Sequence, residues 1–247
     1  MIRAQDLKGV VAMMPAFTTK DGDSPDAMDT VDTETLATSV DKMIRDGANA
    51  IATMGSFGEF HTLLWSEKKK LIEATIAAVR QRVPVFIGCT TFHTRETKRE
   101  AKFAQEAGAD GVLCGVPFYY PSTVENAVQF YHDLADAFPK LGIGIYHNPP
   151  LHRITLPVPA FEKLVTRPNI VFSKTVIGLP SNSPSSSKLS KIRSASSSCR
   201  RRCIRTCSMA LRAAGRFALG WVLRRCFVYA TPALLAIGKP LNRSAST

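Results

Sequence analysis

Through residue 175, short apolar runs alternate with stretches whose apolar residues recur at helical spacing. Residues 9–15 form an apolar run closed by Pro15. A polar stretch rich in Asp and Thr follows over residues 18–32. Residues 33–46 then carry Leu36, Val40, Met43 and Ile44 on one helical face, with Gly47 just past the end, where a left-handed cap belongs. The unit repeats. Strands are predicted over residues 49–54, 84–89, 110–116, 141–146 and 169–173. Helices are predicted from Ser66 as cap to about Arg82, from Thr94 to Gly108, and over residues 123–137 and 159–165.

Continuous apolar strands of five or six residues between helices mean a parallel sheet buried on both faces. A doubly wound nucleotide binder usually shows a Gly-rich turn after its first strand. Here Pro15-Ala16-Phe17-Thr18-Thr19 stands there instead, which favours an α/β fold of the (β/α)₈ TIM-barrel type with about six βα units. The rhythm stops near Val176. A complete barrel would still need two strands and three helices. The chain therefore divides into a partial barrel domain, residues 1–178, and a Ser-, Arg- and Cys-rich tail, residues 179–247, expected to be irregular and disordered.

Charge changes the picture mainly in the tail. The formal net charge is +12, yet residues 1–180 hold 19 basic and all 20 acidic residues, a net charge of −1. Residues 181–247 hold 13 basic residues and no acidic one. Such an arm could bind nucleic acid or a membrane surface through Arg200-Arg201-Arg202 and Arg224-Arg225, or be a disordered extension. The favoured reading is a shifted reading frame, because a Ser, Arg, Cys, Ala and Leu bias resembles GC-rich DNA read in the wrong register. Cys199, Cys203 and Cys207 lack the CxxC pairing of a zinc site. Met1 to Asp6 contain no apolar leader region, and no run of about 18 apolar residues occurs, so a cytoplasmic, reduced setting is expected.

Three features could carry chemistry. Gly55-Ser56-Phe57-Gly58-Glu59 follows the second strand, where two glycines around a hydroxyl permit a sharp turn able to present N–H groups to an anion. A plain tight turn is the alternative. Lys174 closes an apolar strand, where desolvation lowers an amine's pKa and frees it to attack a ketone; a strand-end lysine reaching solvent is the alternative. Tyr146 ends the preceding strand and could shuttle protons or simply pack. All three fall at the C-terminal ends of different strands, the face where barrel enzymes place their chemistry.

Together with Gly115-Val116-Pro117-Phe118-Tyr119-Tyr120 and Ile145-Tyr146-His147-Asn148-Pro149, these segments make residues 7–178 resemble the dihydrodipicolinate synthase / N-acetylneuraminate lyase family. The resemblance implies that Lys174 forms a Schiff base with pyruvate and that Tyr146 relays protons. It implies that Gly55, Ser56 and Phe57 hold the pyruvate carboxylate, with Tyr119 also at the substrate. The synthases carry a second hydroxyl where Phe57 stands, and an arginine where Leu151 stands, with Arg153 two residues on. Those departures, with Met13-Met14-Pro15 and Leu63-Leu64-Trp65-Ser66-Glu67, look more like the hydratase-aldolases of aromatic-hydrocarbon breakdown. Such enzymes cleave an aromatic ylidene-pyruvate, such as trans-o-hydroxybenzylidenepyruvate, to an aromatic aldehyde and pyruvate. Another pyruvate-dependent aldolase or synthase remains the alternative within the class, and a basic nucleic-acid-binding protein the alternative outside it.

The five histidines, His61, His93, His132, His147 and His152, make no HExxH or similar spacing. His61 and His147 lie near the expected site and read as ordinary loop histidines. The resemblance implies no metal or other cofactor, a small-molecule substrate without nucleic acid or membrane, and a homotetramer. With six strands where eight close a barrel, this 247-residue chain is itself expected to be inactive and poorly soluble.

Overall fold

The computed structural model describes residues 2–176 and the backbone of Val228–Tyr229. The tail expected over residues 179–247, its reading frame and its basic clusters otherwise lie outside the described residues. Six parallel strands form the sheet: β1 (Val10–Met13), β2 (Ala50–Thr53), β3 (Val85–Gly88), β4 (Gly111–Cys114), β5 (Gly142–His147) and β6 (Ile170–Thr175). They lie side by side in chain order. Between them run α1 (Thr33–Arg45), α2 (Trp65–Val79), α3 (Thr94–Ala107), α4 (Val124–Ala137), the single turn α5 (Pro149–His152) and α6 (Val158–Leu164).

Helix starts follow the local chemistry. Asp32 caps α1 by accepting the Thr35 N–H at 2.9 Å, and Thr123 caps α4 by accepting that of Asn126 at 3.1 Å. Gly47 terminates α1 with φ +96°, as its position predicts. Ser66 is not the cap of α2. The helix begins one residue earlier, and the buried Glu67 carboxylate accepts the Leu64 N–H at 2.7 Å while also holding the Thr30 hydroxyl. α3 opens at Thr94 as predicted, capped by His93, whose Nδ1 accepts the Glu96 N–H at 3.2 Å.

Alternation along the strands makes two cores. Ile51, Ile87, Val112, Cys114, Ile143 and Ile145 face the helices and pack with Leu36, Val40, Leu71, Ile72 and Leu134. Val11, Met13, Ala50, Ala52, Phe86, Leu113, Tyr146 and Phe172 face the opposite way and form a second cluster, joined by Leu7. The sheet curls around this second cluster. Phe86 of β3 meets Phe172 of β6 edge to face, 4.9 Å between centroids, although two strands separate them. Space for the two rings comes from glycine: a Cβ on Gly111 would lie 2.4 Å from the Phe86 ring, and one on Gly144 would lie 2.4 Å from that of Phe172. This is the curled interior of a barrel, filled by side chains rather than open.

Val228–Tyr229 pair antiparallel with Val10 and Val11 of β1. The sequence suggested no further strand here and left the β1 edge bare. In the structure this short apolar run covers part of that edge.

Gly88 sets the height of β3 against β2. A Cβ there would stand 2.0 Å from the Met54 carbonyl oxygen, a backbone atom that cannot move aside cheaply. Gly88→Ala should therefore destabilise by about 2 kcal/mol or more, the overpacking scale. Gly47→Ala, which meets nothing within 4 Å but sits at positive φ, should cost only about 1 kcal/mol. Urea unfolding of both variants checks the order.

Candidate active site

The parallel pairing of β5 with β6 places Tyr146 directly opposite Lys174. Lys174 lies within the strand, one residue before its end, rather than after it. Both side chains are buried, and the Lys174 Nζ stands 4.3 Å from the centroid of the Tyr146 ring. That puts a cation against an aromatic face, an attraction strengthened by desolvation. The Tyr146 hydroxyl lies 2.9 Å from Ser56 Oγ and accepts a hydrogen bond from Asn148 Nδ2 at 3.0 Å. Residues of three separate segments thus converge at the C-terminal ends of β2, β5 and β6.

The β2 end is bent by backbone rather than by sequence alone. Met54, fully buried, adopts φ +54°, an uncommon conformation for a residue with a side chain. Gly55 then leads into a single 3₁₀ turn, Ser56–Gly58, which Glu59 ends with φ +50°. Non-glycine residues held at positive φ store strain of the kind found around functional clefts. Here they turn Ser56 toward Tyr146. Gly55 is buried, and a Cβ there would meet the Met13 side chain at 2.8 Å. Phe57 and Leu151 are partly buried and pack against the inner cluster that contains Tyr146.

Tyr119 is not brought to this group. It is 64 % exposed, in a run of touching rings with Phe92, Phe118 and Tyr120. Phe118 in turn lies 6.2 Å from the ring of His152, so the aromatic run starts one ring beyond the buried residues. Arg153, at φ +54°, donates through Nη1 to the Tyr119 carbonyl at 3.2 Å.

His61 is an exposed turn residue, in line with the sequence reading, whereas His147 corrects it. His147 belongs to β5 and is buried; its Nε2 accepts the Leu156 N–H at 3.1 Å, and its ring packs on Phe161. His152, on the α5 turn the sequence did not suggest, is 2 % exposed and meets the Tyr146 ring edge-on at 5.1 Å. Burial, then the neighbouring His147, and also Lys174, lower its pKa to about 4, with the Tyr146 backbone opposing. Burial lowers His147 as well. Asn148 was legible only as part of a motif, and His152 carried no signal beyond its type. Among the described residues no group of three or more His, Cys, Asp or Glu could hold a metal ion, and no helix is long and apolar enough to cross a membrane.

Comparison with known proteins gives a consistent result. Residues 13–190 match the dihydrodipicolinate synthetase family. Over 173 residues the chain is 37 % identical to a trans-O-hydroxybenzylidenepyruvate hydratase-aldolase of Pseudomonas aeruginosa, covering 70 % of this chain and 52 % of that protein. It is 31 % identical over 173 residues to a trans-2'-carboxybenzalpyruvate hydratase-aldolase of Nocardioides sp. (strain KP7), with the same coverage. A solved structure described as PhdJ bound to substrate intermediate superposes with a TM-score of 0.69 at 32 % identity, covering 83 % of this chain and 58 % of that one. The chain spans about half the length of the curated relatives it matches.

The two buried histidines predict a pH dependence. Each is neutral in the fold and free to take a proton when unfolded. Their contribution is full above the unfolded pKa of 6.5 and is lost as pH falls below it, for His152 until about pH 4. For His152 the loss should approach about 3 kcal/mol. Urea midpoints should fall between pH 7 and pH 4.5, and His152→Phe should flatten that slope. An unchanged slope would contradict the assignment.

Proposed function

The chain belongs to the dihydrodipicolinate synthetase family, and on that premise we propose that it carries the site of a Schiff-base lyase, a hydratase-aldolase acting on aromatic ylidene-pyruvates. One observation carries the reading: a lysine against a tyrosine whose hydroxyl is hydrogen-bonded to the β2 turn. The similarity to two hydratase-aldolases supports the class of substrate.

The chemistry runs as follows. The Lys174 amine adds to the ketone carbon of the ylidene-pyruvate and water leaves, giving an iminium. Gly55, Ser56 and Phe57 hold the carboxylate through the turn's N–H groups and the Ser56 hydroxyl. The iminium draws electrons from the conjugated double bond, so water adds at the aryl-bearing carbon and a proton goes to its neighbour. The Tyr146 phenol, held by Ser56 and Asn148, then takes the proton of the new hydroxyl as it passes its own phenolic proton to the enamine carbon that the cleavage leaves. The carbon–carbon bond breaks, the electron pair passes to the iminium as an enamine, and the aldehyde departs. Protonation of the enamine and hydrolysis of the imine release pyruvate and restore Lys174. No metal or other cofactor takes part.

Phe57 and Leu151 supply apolar walls where a synthase needs polar ones. Tyr119, with Phe92 and Phe118, forms the rim past which the aryl end enters. We place the enzyme in the cytoplasm, acting on small molecules without nucleic acid, as a homotetramer. The 181–247 segment would act as a nucleic-acid arm only if, isolated, it is retained on DNA in a salt-dependent way.

The test compares two substrates. In a chain completed beyond residue 178 with the matching part of a curated hydratase-aldolase, cleavage of an ylidene-pyruvate should exceed condensation of pyruvate with aspartate semialdehyde by at least about 30-fold in kcat/KM, because the arginine with which synthases hold a substrate carboxylate is replaced by Leu151 and loss of a charged partner costs roughly 2–5 kcal/mol. Tyr146→Phe should lower cleavage by about a hundredfold or more. The 247-residue chain itself should be at least about a hundredfold slower than a version whose residues 179–247 are replaced by the matching part of a curated hydratase-aldolase, since small displacements of the trio are costly. Equal rates on both substrates would refute the reading, and equal rates of the two chains would refute the claim about the tail.

A further inference from the structure

β5 ends at His147, and side chains alternate along it. Tyr146 faces the interior and His147 packs outward on Phe161; Asn148, the next residue on, turns inward again to the Tyr146 hydroxyl. The Tyr146 ring is wedged by packing. Lys174 Nζ lies against its face, and His152 meets it edge-on from the space over Gly115, where a Cβ would collide with the imidazole. Packing of this kind fixes the ring but leaves the hydroxyl hydrogen free to turn.

Asn148 removes that freedom. It is buried, and its Nδ2 donates to the Tyr146 oxygen at 3.0 Å. An amide nitrogen can only donate. The phenol oxygen therefore accepts there, and its own hydrogen is left for Ser56 Oγ, 2.9 Å away.

The way Asn148 is used argues against a purely structural purpose. It holds the N-cap position of α5, where an asparagine oxygen ordinarily accepts a backbone N–H of the first turn. No such cap forms, and Oδ1 is buried with no hydrogen-bond partner among the described residues. Stability gains little from an amide that forgoes its cap and buries an orphaned oxygen. Among the described residues its side chain bonds to Tyr146 instead. We propose that Asn148 is a positioning residue of the lyase, whose side-chain N–H orients the Tyr146 phenol and shares the negative charge that gathers on the phenol oxygen as its proton leaves for the enamine carbon. Such a donor is already in place before the charge appears, so it costs no rearrangement when the proton moves. This rests on the lyase reading above.

The test uses the chain completed beyond residue 178 with the matching part of a curated hydratase-aldolase. It reads cleavage of trans-o-hydroxybenzylidenepyruvate beside borohydride trapping of pyruvate on Lys174. Asn148→Leu, similar in size but without the amide, should lower kcat by about tenfold, the scale of one hydrogen bond. Half-saturation by pyruvate should stay within about twofold, and the urea midpoint should not fall. Asn148→Asp, of the same shape but only an acceptor, should lose at least as much. In a Tyr146→Phe background, Asn148→Leu should change kcat by less than about twofold, because the hydroxyl it acts on is already gone. An unchanged kcat in Asn148→Leu, a second tenfold loss in the Tyr146→Phe background, or an Asn148→Asp chain at full rate would overturn the proposal. So would an Asn148→Leu chain that loses pyruvate trapping and stability together. A completed chain that traps no pyruvate on Lys174 would overturn the lyase reading, and this inference with it.

Discussion

The site hangs on the register of one strand pair. Tyr146 of β5 stands opposite Lys174 of β6 because Ile145 pairs with Ser173 and His147 with Thr175. Side chains alternate with a period of two, so a slip of one residue would turn Lys174 to the helix side and break its contact with the Tyr146 ring. What fixes the register is interior volume. Phe172, two residues before Lys174, fits over Gly144, two residues before Tyr146, and meets Phe86 across the curl. The residues that bring lysine and tyrosine together are thus a phenylalanine and a glycine below them.

Much of this architecture was legible because it is local or periodic. Apolar runs gave all six parallel strands to within one or two residues, and Gly47 marks a helix end by chemistry that acts within one turn. Ser56, Tyr146 and Lys174 could be selected because each lies at or near the C-terminal end of a different strand, and those ends in a parallel barrel share one face. Legibility failed where distant contacts decide. Ser66 is a good capping residue, but Glu67 bonds back to Leu64 and to Thr30 of another segment. No helix was expected at Pro149-Pro150, yet proline is welcome in a first helical turn, and α5 forms there. That turn inserts His152 into a space emptied by Gly115, 37 positions earlier in the chain. No periodicity announces such a fit.

Tyr119 shows the same limit in reverse. Its motif implied a place at the substrate, and the structure sets it among exposed rings, with the Arg153 guanidinium donating to its backbone carbonyl. The edge of β1 was read as bare, yet Val228 and Tyr229 reach it from far along the chain. Strand pairing at such separation depends on loop closure and on an available edge, neither of which a local apolar pattern encodes.

The central claim is that Lys174 is the amine that bonds to the substrate, and one measurement addresses it most directly. The chain, completed beyond residue 178 with the matching part of a curated hydratase-aldolase, is incubated with pyruvate, reduced with borohydride, digested and mapped by mass spectrometry. The account predicts a reduced pyruvate adduct confined to the peptide that holds Lys174, and its loss in Lys174→Ala. An adduct on a different lysine, persisting in Lys174→Ala, would contradict it.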